Sequence, residues 1–182
     1  PLKGPNCDSS RFMRDFEGND GQESEIYNTI RRTIIDQGLI FFGGYASSLY
    51  GKYMPKHRRK QLLKIPDFDV LSEDAETSAT IIKEQLESAG IKKVSIHKKG
   101  KIGENIPAHI EIIVDKDTVC FIYEPIACHS YNRIRIHGDM INVATIDTML
   151  SFYLAFLYTN KPYYDNNRIM CMAQYLFQVQ AR

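Results

Sequence analysis

No stretch of this sequence approaches the roughly 20 apolar residues that a helix needs to cross a bilayer, and its first residues lack the charged-then-apolar pattern of a secretory leader. The expectation is a soluble, intracellular protein with no membrane contact. An excess of either charge is missing too: 23 Lys and Arg against 22 Asp and Glu leave a net charge of +1. That balance argues against a protein that coats nucleic acid over its whole surface and leaves room for local basic surfaces. The four cysteines, Cys7, Cys120, Cys128 and Cys171, show no CxxC spacing; two sit in apolar segments as expected small buried thiols, a reducing compartment is expected, and zinc at Cys128 and His129 is rejected because no second ligand pair exists. Internal repeats and low-complexity tracts are absent. At 182 residues and 43% hydrophobic the chain suffices for one well-buried core and has little room for two.

What is present is a succession of short, well-punctuated periodic segments. Residues 1–23 are rich in Gly, Pro, Asn, Asp and Ser without sustained period, which predicts an irregular arm carrying little core. From Ser24 as N-cap, Ile26, Ile30 and Ile34 fall on one helical face, and Gly38 supplies the stop. A short apolar strand at 39–42 is followed by Gly43 and Gly44 and then by a helix over 45–53, weakened by Gly51. A basic connection at 54–66 leads to the strand "DFDVL" and to a helix that ends at Gly90, with Ile81, Ile82, Leu86 and Ala89 available to the core. The second half reads mainly as strand, at 93–97, 108–114 and 118–124, the last two joined across a tight "DKD" turn. A small hairpin at Gly138–Asp139 follows, and helices at about 145–159, capped by Thr145, and about 165–180 close the chain. The pattern begins as α/β. The sequence starts at Pro1 without methionine and stops at Arg182 in a helical pattern, so we expect a piece of a longer chain.

Asp67 and Asp69 lie one residue apart on a predicted strand, so both carboxylates point to one face while Phe68 and Val70 point into the core. Two like charges held that close are costly unless something positive sits between them. A hard divalent ion such as Mg²⁺ takes oxygen ligands and brings phosphate oxygens with it. Alone, the same spacing also describes two aspartates on the solvent face of an edge strand. The glycine pair makes the pattern more specific. Between a strand and a helix, Gly43 and Gly44 permit a tight turn and a close approach of ligand to backbone, and the helix start offers unpaired N–H groups that suit phosphate. Ser47 and Ser48 fall in the first turn of that helix, where a hydroxyl can reach a triphosphate oxygen.

"FFGGYASSLY" followed by "PDFDV" resembles the signature of the DNA polymerase beta-like nucleotidyltransferase superfamily: a hydrophobic residue before Gly and Gly or Ser, then two acids separated by one hydrophobic residue. With "EPIACHSYN" and "IDTMLSFYLAFLY", the wording is similar to the poly(A) polymerase catalytic subunits of large nucleocytoplasmic DNA viruses, from about residue 38 to 160. The resemblance implies an α/β (α+β) nucleotidyltransferase fold, a mixed or antiparallel sheet with helices packed on one side. Its core would be residues 24–144, with 145–182 a C-terminal helical segment continuing in a longer parent chain. It implies Gly43 and Gly44 as the triphosphate turn, with Ser47 and Ser48 beside them in nucleotide binding, and Asp67 and Asp69 as catalytic ligands of two Mg²⁺ or Mn²⁺ ions. ATP would be the donor, an RNA 3′ end the acceptor, and polyadenylation of mRNA the function. A homodimer or a processivity subunit is the further partner implied, in the infected-cell cytoplasm or the virion. Lys56, Arg58, Arg59 and Lys60 are candidate contacts to RNA or triphosphate phosphates, with a solvated basic loop as the equal alternative.

The superfamily usually carries a third carboxylate on a later strand beside the paired aspartates. Aligning "TVCFIYEP" with that strand puts Cys120 at the place. Glu111, flanked by Ile110 and Ile112, has the matching apolar-acid-apolar pattern and is the candidate third catalytic and metal-binding residue, although its strand is the earlier arm of the hairpin; Glu124 is a weaker candidate. Two rival readings stay open: a non-catalytic copy of the fold serving as dimer partner or RNA-binding scaffold, and a transferase with another acceptor such as transfer RNA. "ACHSYN" at 127–132 reads as a structural turn before a base-contacting one, and "FYLAFLY" at 152–158 as core helix, because its apolar residues occupy nearly all faces. Tyr163 and Tyr164, beside Lys161 and Arg168, suit either stacking on single-stranded RNA or a tyrosine-packed loop between helices.

Overall fold

A computed structural model describes Cys7 and residues 21–53, 67–125, 127–159, 161 and 164–181. Helix α1 spans Gly21–Asp36 and begins ahead of Ser24, whose hydroxyl accepts from Asn28 Nδ2 one turn on. Its apolar stripe, Ile26, Ile30 and Ile34, is buried as the period predicts. Gly38, at φ +68°, ends it, and Leu39 N–H closes the turn onto Ile34 O at 3.1 Å. Strand β1 is Ile40–Phe42 and helix α2 Gly43–Leu49; at Gly51 the helix has tightened into a 3₁₀ turn over Tyr50–Tyr53. Strand β2 (Phe68–Leu71) leads to α3 (Ala75–Ser88), whose N-cap Asp74 accepts from Thr77 N–H at 3.0 Å. Then come β3 (Val94–Lys99), β4 (His109–Val114), β5 (Asp117–Tyr123), β6 (Tyr131–Ile136) and β7 (Asp139–Ala144). Helices α4 (Ile146–Thr159) and α5 (Asn166–Gln180) follow.

The last hairpin turns one residue earlier than expected. Its two-residue loop is His137–Gly138, with φ of +50° and +94°, and Ile136 pairs with Asp139 across it. Positive φ at both central positions gives the twist that matches paired strands. Asp139 is thereby released into β7, where Arg31 and Arg32 of α1 hold its carboxylate at 3.3 and 3.4 Å.

The seven strands form one sheet in the order β3-β4-β5-β2-β1-β7-β6. β1 with β7 and β2 with β5 are parallel and the other neighbours antiparallel, a mixed sheet as expected. Paired residues share a face, so the register sorts the side chains. Phe41, Phe68, Val70, Cys120, Ile122 and Val143 point one way and are buried. Helices α1 and α3 cover that face; Tyr27 of α1 rests on Phe68 with ring centres 4.9 Å apart. Burying each large apolar side chain there contributes about 1.5–3 kcal/mol. Helices on one side describes α1 and α3. The other face is partly covered as well, because Phe42 stacks on Phe152 of α4 at 4.6 Å and α5 packs along α4.

Two expectations need correction. Helix α4 is not core on nearly all faces: Phe152, Tyr153 and Phe156 are buried, but Leu154 and Tyr158 are 59% and 81% exposed. The cysteines are not all reduced thiols either. Cys7 and Cys171 form a disulfide whose Cα atoms are 5.5 Å apart across 164 residues of sequence, a proximity no spacing rule can read. Cys120 is the buried free thiol foreseen, and Cys128 is free and exposed. Among the described residues no helix is long and apolar enough to cross a membrane.

Candidate active site

The site begins with glycine geometry. Gly43 follows β1 with φ +66°, and a side chain there would fall on the Asp69 carboxylate, 2.7 Å from its Cγ and 2.9 Å from its Cβ. Only hydrogen fits in that space, and only glycine adopts that conformation freely. The turn and the paired aspartates are therefore interlocked, β1 and β2 being antiparallel with Phe42 beside Asp69. Ser47 is fully buried beneath the turn, donating to Gly43 O at 2.9 Å with Tyr153 Oη 3.4 Å away. Ser48 donates to Tyr45 O at 2.6 Å. Both hydroxyls are engaged in bracing this short helix.

Asp67 and Asp69 flank the buried Phe68 and are half-buried themselves, as alternation requires. Asp69 lies beside Phe121 of β5, and Phe121 beside Glu111 of β4, so Glu111 shares the aspartates' face of the sheet. Cys120 does not stand in the third-acid place. It pairs with Phe68 and Ile112 and points into the core, leaving the aromatic Phe121 next to Asp69. The parallel register of β5 on β2 sets this parity, which the sequence alone does not reveal. Glu124 is exposed beyond the end of β5.

These residues line a cleft of about 680 Å³. Phe42, Gly43 and Gly44 form one side with Asp67 and Asp69; Glu111, His109, Phe121 and Tyr123 form the floor; Tyr164, Arg168 and Met172 form the far wall. Lys99, at the end of β3, stands 3.9 Å from Glu111 Oε2. His109 stacks on Tyr123 with ring centres 4.7 Å apart, and its Nε2 is 3.7 Å from Glu111 Oε1. The acids of the cleft act on its buried titratable neighbours. Burial, then Asp69, Tyr164, Glu111 and Asp67, pushes the Tyr123 hydroxyl well above its usual range, and burial with Asp69 and Asp67 does the same to Cys120. Burial lowers the pKa of His109, while Glu111 partly offsets the effect.

The expected divalent ions can be tested against this donor set. Among the described residues no three His, Cys, Asp or Glu side chains stand close enough to form a complete protein cage. Two carboxylates on one strand face, open to a cleft, are nevertheless the kind of partial set that Mg²⁺ uses when substrate phosphates complete its shell. Asp67 and Asp69 fit; Glu111 lies two strands away, roughly 10 Å at about 4.8 Å per strand.

Sequence reasoning overlooked Lys99, His109, Phe121 and Tyr123 as site residues. Period-two alternation from Glu111 would have put His109 on its face, but which strand carries Lys99 to the cleft edge depends on sheet order. Arg168 reaches the cleft, and Tyr164 packs on Phe156 at 4.8 Å while lining it. Lys56, Arg58, Arg59, Lys60 and Tyr163 lie outside the described residues. "ACHSYN" is not a turn throughout: residues 127–130 lead into β6, which begins at Tyr131, and Ser130 O accepts from Thr145 N–H and from the Thr148 hydroxyl, at 3.0 and 3.2 Å.

No protein-family model matches the sequence, and neither does any curated protein. Solved structures do. The chain superposes on the Megavirus polyadenylate synthase with a TM-score of 0.63 and 19% identity, over 87% of this chain and 32% of that one. It thus spans about a third of the length of that protein. An antigenic nucleotidyltransferase-like protein from Paracoccidioides brasiliensis matches with a TM-score of 0.49 and 9% identity, over 88% of this chain and 77% of that one. The chain has a nucleotidyltransferase-like fold.

Proposed function

We propose that this chain is a template-independent, metal-dependent nucleotidyltransferase that adds AMP from ATP to RNA 3′ ends. The observation that carries the reading is the interlock of Gly43 with Asp69, which presses a phosphate-compatible turn against a carboxylate pair at the mouth of one cleft. The neighbour named a polyadenylate synthase shares the fold and supports ATP and RNA as substrates.

In this reading the 3′ oxygen attacks the α-phosphorus, the bond to the β-phosphate bridging oxygen breaks, pyrophosphate leaves, and the hydroxyl proton passes to solvent or a cleft carboxylate. Asp67 and Asp69 would hold two Mg²⁺ or Mn²⁺ ions, which when bound supply Lewis-acid stabilisation of the transferring phosphoryl group. The chain's own groups do the positioning. Backbone N–H groups after Gly43 meet the triphosphate, and Arg168 and Lys99, both lining the cleft, offset its charge. Phe121 and Tyr164 give the base flat apolar surfaces. Glu111, held between Lys99 and His109, is the third acid of the site.

One observation favours a second reading, a non-catalytic copy of the fold that binds RNA or a partner: Phe121, not an acid, stands beside Asp69 on β5. Primer extension decides between them. Labelled RNA, Mg²⁺ or Mn²⁺ and each nucleoside triphosphate separately should give an ATP-selective ladder that Asp69→Asn abolishes. A folded sample that extends with no nucleotide would overturn the catalytic reading.

A further inference from the structure

The edge strand β6 carries a second feature that the cleft does not use. Tyr131, Arg133 and Arg135 alternate along it, so all three project from one face. All are exposed, Tyr131 at 46%. The register identifies the face: Asp69 pairs with Phe42, β1 runs parallel to β7 with Phe41 beside Val143, and Ala144 pairs with Tyr131. Tyr131 therefore shares the sheet face and the sheet end of the aspartates, three strands away, roughly 14 Å at about 4.8 Å per strand. Among the described residues neither Arg133 nor Arg135 has a carboxylate partner. The nearest acid on the adjoining strand, Asp139, is already held by Arg31 and Arg32.

We propose that Tyr131, Arg133 and Arg135 form a docking strip for single-stranded polynucleotide on the same face of the sheet as the cleft. Steps of about 6.8 Å between alternate residues place the two guanidiniums to take successive phosphates along an extended strand, and an exposed tyrosine ring offers a base-stacking surface that tolerates any sequence. Edge strands are commonly protected by charge. Protection alone explains neither an exposed aromatic nor the choice of arginine, whose planar fork suits phosphate; nor does it explain why the charges keep to the site face while Ile134 and Ile136 on the other are half-buried. Taking the strand to be the RNA acceptor rests on the nucleotidyltransferase reading; the binding itself does not.

Fluorescence anisotropy of the whole chain with a fluorescein-labelled single-stranded RNA 15-mer tests the strip. Arg133→Glu with Arg135→Glu should weaken binding at least tenfold at 50 mM salt. It should also flatten the log–log salt dependence by about 1.4, roughly 0.7 for each single-strand phosphate that is no longer neutralised. Tyr131→Ala should weaken binding about fivefold or more, and duplex RNA should bind less tightly than the single strand. Lys92→Glu with Lys116→Glu, an equal charge change at the far edge, should leave affinity within twofold. Wild-type affinity in the double arginine variant, or an equal loss in the lysine control, would overturn the strip; so would loss of binding to phosphatidylserine vesicles with RNA affinity intact. Asp69→Asn should bind RNA like the wild type while failing to extend it, so the strip and the catalytic reading fail separately.

Discussion

The two faces of the sheet were built from the same strands and under different constraints. The face beneath α1 and α3 is mainly apolar, with Ile112, Cys120, Val70, Phe41 and Val143 all fully buried and Asp139, at the start of β7, paired there with Arg31 and Arg32. The face opposite carries Glu111, Phe121, Asp69 and Phe42 in consecutive register. Since side chains alternate along a strand, one face can be given mainly to packing and the other can bear charges that a core would not tolerate. Two acids of the cleft are anchored by buried neighbours one residue away on either side. Asp69 is held between Phe68 and Val70, and Glu111 between Ile110 and Ile112, all four neighbours buried.

Substitutions that exchange the character of the faces should show this most sharply. Val70→Asp places an unpaired charge between Phe41 and Ile122 and should cost several kcal/mol, comparable to the whole stability of a small domain; circular dichroism should show no cooperative melting. On the opposite face, one residue earlier, Asp69→Asn should leave the melting temperature within a few degrees and lower nucleotide addition by about three orders of magnitude, since several kcal/mol of phosphoryl stabilisation depend on it. A normal rate in that variant would remove the metal assignment. Gly43→Ala should do both in part, because its Cβ displaces the Asp69 carboxylate and φ +66° strains the backbone: about 1–3 kcal/mol of stability and roughly a hundredfold in kcat at saturating ATP. Glu111→Gln should be the mildest, with unchanged melting and about a tenfold loss in rate; full activity would show that the two aspartates suffice.

Most of the architecture was legible because it rests on local signals. Ile26, Ile30 and Ile34 state a helical period, Gly38 and Gly90 state stops through positive φ, and the strands appear as apolar alternations. Asp67 and Asp69 were legible for the same reason, since a period of two fixes their common face without knowledge of any partner. What stayed hidden depends on pairing across distance. Cys120 and Phe121 could not be assigned to faces until the pairing of β5 with β2 was known. The Cys7–Cys171 bridge needed proximity that only the folded chain supplies. Lys99 belongs to the cleft because β3 follows β4 outward in the sheet, a fact of topology rather than of its neighbours in sequence.

The position of β1 has a consequence for how the protein is made. Its parallel neighbour β7 lies some hundred residues downstream, as the bond from Asn142 Nδ2 to Gly38 O across 104 residues records, and β2 likewise awaits β5. A growing chain exposes these two central apolar strands well before their parallel partners leave the ribosome. Distant pairings of this kind slow folding and lengthen the interval in which unpaired edges are open to aggregation. Production should therefore be limited by chaperone supply and by the time needed to synthesise the second half, and chains that stall before residue 117 should accumulate as insoluble fragments rather than as partly folded ones.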